Sequence, residues 1–209
     1  MISIAIVYHA GLGDTETQAL AVAQGAASIE DTIVRLLSTD ETDERWAELD
    51  EADAIIFGAP TSMGSASSPY KAFMEASATA WLEQRWKDKI AAGFTSSGPR
   101  DGDKPNTLAQ LASFAARHGM IWVGLGLMPG GGSRWSRAHD VNRLGGFLGA
   151  IAQTEPEEGA CQAVPASDRA SAALLGRRVA LTAHRWMRGK GTAHEDDVAG
   201  ATTEETPLP

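Results

Sequence analysis

Apolar residues along this chain gather in short runs, separated by segments whose apolar positions recur at helical spacing. Ile2 to Tyr8 is almost continuously apolar over a strand's length, which fits a strand covered on both faces. Thr15 to Ala27, rich in Ala, Gln and Glu, predicts a helix. Thr32 to Leu37 predicts a second strand from its β-branched set Thr32, Ile33 and Val34, and the acidic stretch Ser38 to Asp50 predicts a short helix around Arg45 to Leu49. Ala52 to Gly58 is a third buried strand, which Pro60 is expected to stop, and Pro69 suits the first turn of a helix reaching about Gln84. Ile90 to Thr95 predicts a fourth strand. Pro105 opens a helix that ends near His118-Gly119, Met120 to Leu125 predicts a fifth strand, and a last helix runs from about Ser167 to Arg188.

Strands and helices in strict alternation predict an α/β fold, a doubly wound parallel sheet of roughly five strands with helices on both faces. With 209 residues, 43% of them hydrophobic, the chain can bury one substantial core, so a single domain is expected over 1–189. From 190 to 209 the composition turns to Gly, Thr, Ala, Glu, Asp and Pro, which predicts a disordered tail.

A net charge of -9 repels nucleic acid and anionic membrane surfaces, so small molecules are the expected partners and no nucleic acid is. The single cysteine, Cys161, excludes an intrachain disulfide, and the N-terminus reads directly as a strand without the features of a secretory leader. A cytoplasmic location is the expectation. No apolar run approaches the roughly 20 residues of a membrane span.

Ligands of open α/β sheets bind beyond the carboxyl ends of the strands, where the strand order reverses. That rule selects loops 9–15, 59–68, 95–104 and 125–145, each rich in Gly, Ser, Thr or Pro. The first, His9-Ala-Gly-Leu-Gly-Asp-Thr15, lacks the Lys-Ser/Thr pair of a nucleoside-triphosphate loop and the third small residue of the dinucleotide fingerprint. A turn entering a helix still offers free backbone N–H groups and the positive end of the helix dipole, enough to hold a phosphate. Thr15 and Thr17 add hydroxyls. A plain strand-to-helix turn with Thr15 as its N-cap is the alternative. The second, Gly58 to Ser68, has small residues that admit a flat ligand, with Thr61 and Ser62 as donors to a heteroaromatic edge. The third, Phe94-Thr-Ser-Ser-Gly-Pro-Arg100, repeats the theme.

Four motifs together resemble the flavodoxin-like, FMN-binding NAD(P)H:quinone oxidoreductases of the tryptophan-repressor-binding-protein type. These are Tyr8 to Thr17, Gly58-Ala-Pro-Thr-Ser-Met-Gly64, Phe94-Thr-Ser-Ser-Gly98 and His118-Gly119-Met120, in the family's order and spacing over residues 1–188. The resemblance implies a flavodoxin-like fold with FMN as cofactor and NAD(P)H as electron donor, a quinone or similar small acceptor, and a homo-oligomer, dimer or tetramer. It implies that Ala10, Gly11, Leu12, Gly13, Asp14 and Thr15 hold the FMN phosphate. Pro60, Thr61, Ser62 and Met63 would line the isoalloxazine, and Thr95, Ser96, Ser97 and Gly98 would wrap its other edge. His118 would complete the pocket as the catalytic residue, and Trp81 would wall the quinone site, commonly from a neighbouring subunit.

The chain departs from that pattern at Ala10, where the family commonly has serine, at Leu12, where it has an aromatic residue, and at Ser62 and Met63, which stand for Arg and Phe; the third loop runs on as Pro99-Arg-Asp-Gly102. For His118 a helix C-terminal cap is the alternative role. In the loop Gly130 to Arg137, Trp135 with Arg134 and Arg137 stands either as an anion-facing group or as plain surface. Two rival readings remain: a flavodoxin-type electron carrier without its own substrate, and a flavin-free relative that binds a partner.

Overall fold

The computed structural model describes residues 1–98, 103–130, 140–154 and 164–190, the side chain of Asp43 excepted. Its strands are β1 (Ile2–Tyr8), β2 (Thr32–Ser38), β3 (Ala54–Ser62), β4 (Ser65–Ala66), β5 (Ile90–Ser97), β6 (Ile121–Trp122) and β7 (Ala150–Gln153). The helices are α1 (Asp14–Ala27), α2 (Thr42–Glu51), α3 (Ser68–Ala76), α4 (Ala78–Leu82), α5 (Lys104–Arg117) and α6 (Ala166–Lys190). The strands form a sheet in the order β2-β1-β3-β5-β6, parallel throughout that path.

Alternate residues of each strand face opposite layers, which is why the buried strands read as unbroken apolar runs. Ile4, Ile6, Ile56 and Phe94 turn to the layer of α1 and α6, where they meet Val22, Leu175 and Val179. Ala5, Val7, Ile55 and Phe57 turn to the other, with Phe73, Trp86, Leu111 and Phe114. Helices α1 and α6 cross at van der Waals contact of their backbones: a Cβ on Gly25 would come 1.8 Å from Ala173 O, and one on Gly176 would come 2.0 Å from Val22 O.

Three elements differ from the expectation. The fifth strand is in two pieces: Ile121–Trp122 pairs with Ile90–Ala91, and Ala150–Gln153 pairs with Phe94–Ser97 on the same side of β5. The chain between them leaves the sheet and returns, held by Leu125 N donating to Phe147 O at 2.9 Å and Trp122 Nε1 donating to Leu148 O at 3.0 Å. Loop 125–145 therefore belongs to this excursion, and the fifth position of the sheet ends at Gln153. Second, Pro60 does not stop β3, which continues to Ser62. Pairing with β1 has already ended at Gly58, so the missing N–H of Pro60 costs no ladder bond. The strand then folds back as a hairpin onto β4 through Met63 and Gly64, both at positive φ, as a tight two-residue turn demands. Third, the helix expected to reach Gln84 breaks at Ser77, whose hydroxyl donates to Met74 O at 2.7 Å. The tail from 191 onward lies outside the described residues.

Gly176→Ala is expected to lower stability by about 1–3 kcal/mol, because its methyl meets backbone that cannot rotate away. The shift of the urea midpoint measures it, with Ala173→Gly as a control one turn earlier on α6.

Candidate functional site

The order β2-β1-β3-β5 places β1 and β3 side by side although the chain runs outward to β2 between them, so the order reverses between β1 and β3. Tyr8, Gly58, Phe94 and Ala150 lie in one register row across four adjacent strands. The chain beyond each row member forms one cluster: 9–13 after β1, the β3–β4 hairpin, 97–98 at the end of β5, and Thr154 after β7. Pro60, Ser96 and Ala152 form a further row two residues on.

The first loop enters α1 through Gly13 as N-cap, at φ 104°, rather than through Thr15. No side chain caps the helix there. Its first-turn N–H groups, with the helix dipole behind them, are available to an anion. Gly11 lies against the second loop; a Cβ there would come 3.2 Å from Pro60 Cγ. The hydroxyls expected to serve a ligand are mostly engaged within the protein. Thr15 is fully buried with its Oγ1 2.8 Å from Ser96 Oγ, and Thr17 Oγ1 donates to Gly13 O at 3.1 Å. Thr95 Oγ1 donates to Ala59 O at 2.7 Å, while Thr61 Oγ1 lies 2.8 Å from the hydroxyls of both Thr95 and Thr107. These bonds stitch the three strand ends together beneath the loops. Ser97 Oγ, at the last residue of β5, is buried and has no partner.

Residues that the sequence did not single out, Asn106, Gln110, Thr154 and Gln18 among them, hold the loops from outside. Asn106 Nδ2 donates to Gly64 O at 2.6 Å and Gln110 Oε1 accepts from Ala66 N at 3.2 Å, so α5 fixes the hairpin. Thr154 Oγ1 donates to Asp14 Oδ2 at 2.7 Å, and His9 Nδ1 lies 2.8 Å from Ser67 Oγ. The side-chain amide of Gln18, in its bonding orientation, donates to Thr95 O and accepts from Ala152 N. Leu12 and Met63, at the tips of the first and second loops, are both fully exposed apolar side chains. Residues 99–102, the loop carrying Trp135, and Cys161 lie outside the described residues.

His118 and Trp81 are placed elsewhere. His118 caps the C-terminus of α5, and the 14-residue helix carries it about 20 Å from the strand ends where α5 begins. Within one chain it does not meet the loops. It lies 2% exposed, stacked 4.4 Å from Trp86 and edge-on to Phe114. Its Nε2 is 3.0 Å from Ser77 Oγ. Since Ser77 gives its hydrogen to Met74 O, Nε2 carries the imidazole proton and Nδ1 is a buried acceptor without a partner. Burial pushes the imidazole pKa down to about 4, with the nearby Arg117 adding to the effect, so His118 is neutral at pH 7. Its Nδ1 then carries no proton. Trp81 stands nearby under the Arg117 guanidinium, 4.8 Å from its ring centre. Both border a groove of about 740 Å³ between α3–α4 and α5, lined also by Lys71, Met74, Gln110 and Phe114.

Glycine- and hydroxyl-rich loops gathered on adjacent strand ends beside a reversal of strand order define a flavodoxin-like α/β protein. Comparison with known proteins agrees. Residues 15–130 match the model of the NADPH-dependent FMN reductase family. The chain is 40% identical over 176 residues to "Flavodoxin FldP" of Pseudomonas aeruginosa, covering 84% of this chain and 93% of that protein. It is 32% identical over 207 residues to an "NAD(P)H dehydrogenase (quinone)" of Archaeoglobus fulgidus, covering 88% and 99%. The crystal structure of a WrbA-like flavodoxin from Agrobacterium tumefaciens superposes with a TM-score of 0.69 at 35% identity, over 88% of this chain and 99% of the other. The chain belongs to the NADPH-dependent FMN reductase family, and it is an FMN-dependent oxidoreductase with NAD(P)H as donor.

The residues present fit that cofactor: an uncapped helix N-terminus suits its phosphate, and an unpaired buried hydroxyl at Ser97 awaits a polar ligand atom. Among the described residues no cluster of His, Cys, Asp or Glu fits a metal ion.

Because the folded-state pKa of His118 lies below its unfolded value of about 6.5, its contribution to stability is complete above pH 6.5 and declines as pH falls toward 4. His118→Gln is expected to remove about 2–3 kcal/mol of the stability difference between pH 7 and pH 4, read from urea unfolding of both proteins at the two pH values. An unchanged difference would show that the imidazole is solvated.

Proposed function

We propose that residues 1–189 form a flavin-binding domain that passes electrons from NAD(P)H to a quinone or similar small acceptor in the cytoplasm. The observation that carries this reading is the convergence of three ligand-type loops on one end of the sheet, with the buried Ser97 hydroxyl left unpaired among neighbours that are all bonded. The A. fulgidus relative's name supports the quinone acceptor.

Ala10 to Thr15 hold the FMN phosphate through backbone N–H groups of the loop and the first turn of α1, reinforced by the helix dipole. Pro60, Thr61, Ser62 and Met63 flank the ring on one side, and Thr95 to Gly98 on the other. Thr95 and Ser96 contribute through their backbones, since their side chains are tied down beneath. Ser97 supplies a side-chain hydroxyl. When bound, FMN would supply the two-electron hydride chemistry between a nicotinamide and an acceptor. Leu12 and Met63 offer apolar flanks that exclude water from the exposed edge.

The groove bearing Trp81 and His118 runs along α5, from Asn106 and Gln110 beside the β3–β4 hairpin to the far end of the helix. We propose that it meets the flavin loops of a neighbouring subunit in a dimer or tetramer, where neutral His118 serves to position Trp81 and Ser77 rather than to donate a proton. A second reading, an electron carrier serving a separate enzyme, is favoured by the 40% identity to a protein named as a flavodoxin.

With FMN bound, NAD(P)H oxidation by a soluble naphthoquinone should give parallel double-reciprocal lines; intersecting lines would overturn alternate exchange at one site, and absence of turnover would favour the carrier reading. Ser97→Ala should weaken FMN binding about tenfold, measured by quenching of flavin fluorescence.

A further inference from the structure

Helix α6 concentrates positive charge in an acidic protein. It carries Arg169, Arg177, Arg178, Arg185, Arg188 and Lys190 against one carboxylate, Asp168, in a chain of net charge -9. Asp168 is already matched, accepting two hydrogen bonds from the Arg143 guanidinium. Arg177, Arg178 and Arg185 are exposed, and no carboxylate among the described residues pairs with them.

These three line a cleft of about 270 Å³ between α6 and the turn 125–127, where the chain leaves β6. The far wall is rigid: Leu125 N is bonded to Phe147 O and Leu127 O to Asn142 Nδ2 at 3.0 Å. Gly126, at φ 69°, lets the Arg178 head lie flat on the turn; a Cβ there would come 2.5 Å from Arg178 Cζ. The guanidinium is thus seated before any ligand arrives, which lessens the entropy lost on binding. Thr182 lies between the arginines with its hydroxyl hydrogen given to Arg178 O, and Leu127, Leu174 and Leu181 make the apolar part of the lining. The cleft is smaller than the roughly 300–1,000 Å³ of sites for drug-sized ligands.

We propose that this cleft binds a small organic anion, a phosphate monoester or carboxylate with a compact apolar body, its charged end held by Arg178 and Arg185 and its body resting on the leucines. Arginine is suited to this because its planar fork can meet such an oxyanion with two hydrogen bonds. The site is separate from the strand-end loops. Asp168 is bonded to Gln153 N at the ligand end of the sheet, and Arg178 lies ten residues, about 15 Å, further along the helix.

The test is calorimetric titration of the FMN-loaded protein, in which the phosphate loop is already filled, with phenyl phosphate, benzoate and inorganic phosphate. One saturable site is expected, with phenyl phosphate bound more tightly than inorganic phosphate. The double substitution Arg178→Gln and Arg185→Gln should weaken it about tenfold or more while leaving the flavin spectrum and the unfolding midpoint without anion unchanged. The variant with lysine at both positions keeps the charge but not the fork, and should recover only part of the affinity. Absence of a saturable site, affinity unchanged in the glutamine variant, or binding confined to vesicles of anionic lipid would overturn the proposal.

Discussion

The backbone contact between α1 and α6 is the constraint on which the rest of the molecule depends. Gly25 and Gly176 let the two helices meet with no side chain between them, so together they close one whole face of the sheet. The N-terminus of α1 is then held at the strand ends from three sides: by its own strand β1, by Gln18 reaching β5 and β7, and by Thr154 bonded to Asp14. A phosphate-binding helix end works only if its N–H groups stay aimed, and here the aim is set by packing more than by the loop itself.

Most of the fold was legible because buried parallel strands leave a signature that survives averaging: nearly continuous apolar runs at Ile2–Tyr8 and Ala54–Ala59, with helices between. Where the reading failed, tertiary context had overridden a local signal. Pro60 is a breaker only where its N–H is wanted, and whether it is wanted depends on the length of the neighbouring β1. The fifth strand looked continuous from Met120 to Leu125, because Val123 and Leu125 are buried in the core like strand residues. Its second half, Ala150–Gln153, is four residues long and follows a glycine-rich excursion, so nothing local marked it. Yet Gly149 had a reason to be glycine: a Cβ there would strike Gly93 O at 2.0 Å.

The candidate site divides in the same way. Which loops gather was legible from strand order, since the rule concerns strand ends and requires no side-chain detail. Which hydroxyls stay unpaired was not, since Thr15, Thr61 and Thr95 differ from Ser97 only in having partners, and those partners lie far along the chain. His118 shows the limit of carrying a role by motif. Its His-Gly-Met context fixes a helix end, and a helix end is a place at the far side of the molecule from the loops that open α5.

The interrupted fifth strand also decides how the sheet can meet other chains. A full-length edge strand would expose a row of free N–H and C=O groups, a template onto which another strand can add. Here that edge consists of a two-residue and a four-residue piece, with the excursion folded across the gap and Trp122 bonded to its return arm. Among the described residues no run long enough to seed a foreign strand remains on that side. Strand addition is thereby confined to the opposite edge, the seven-residue β2, and on the β5 side contacts run through helices and loops, so what looks like a defect in the strand diagram makes the two edges of the sheet unequal.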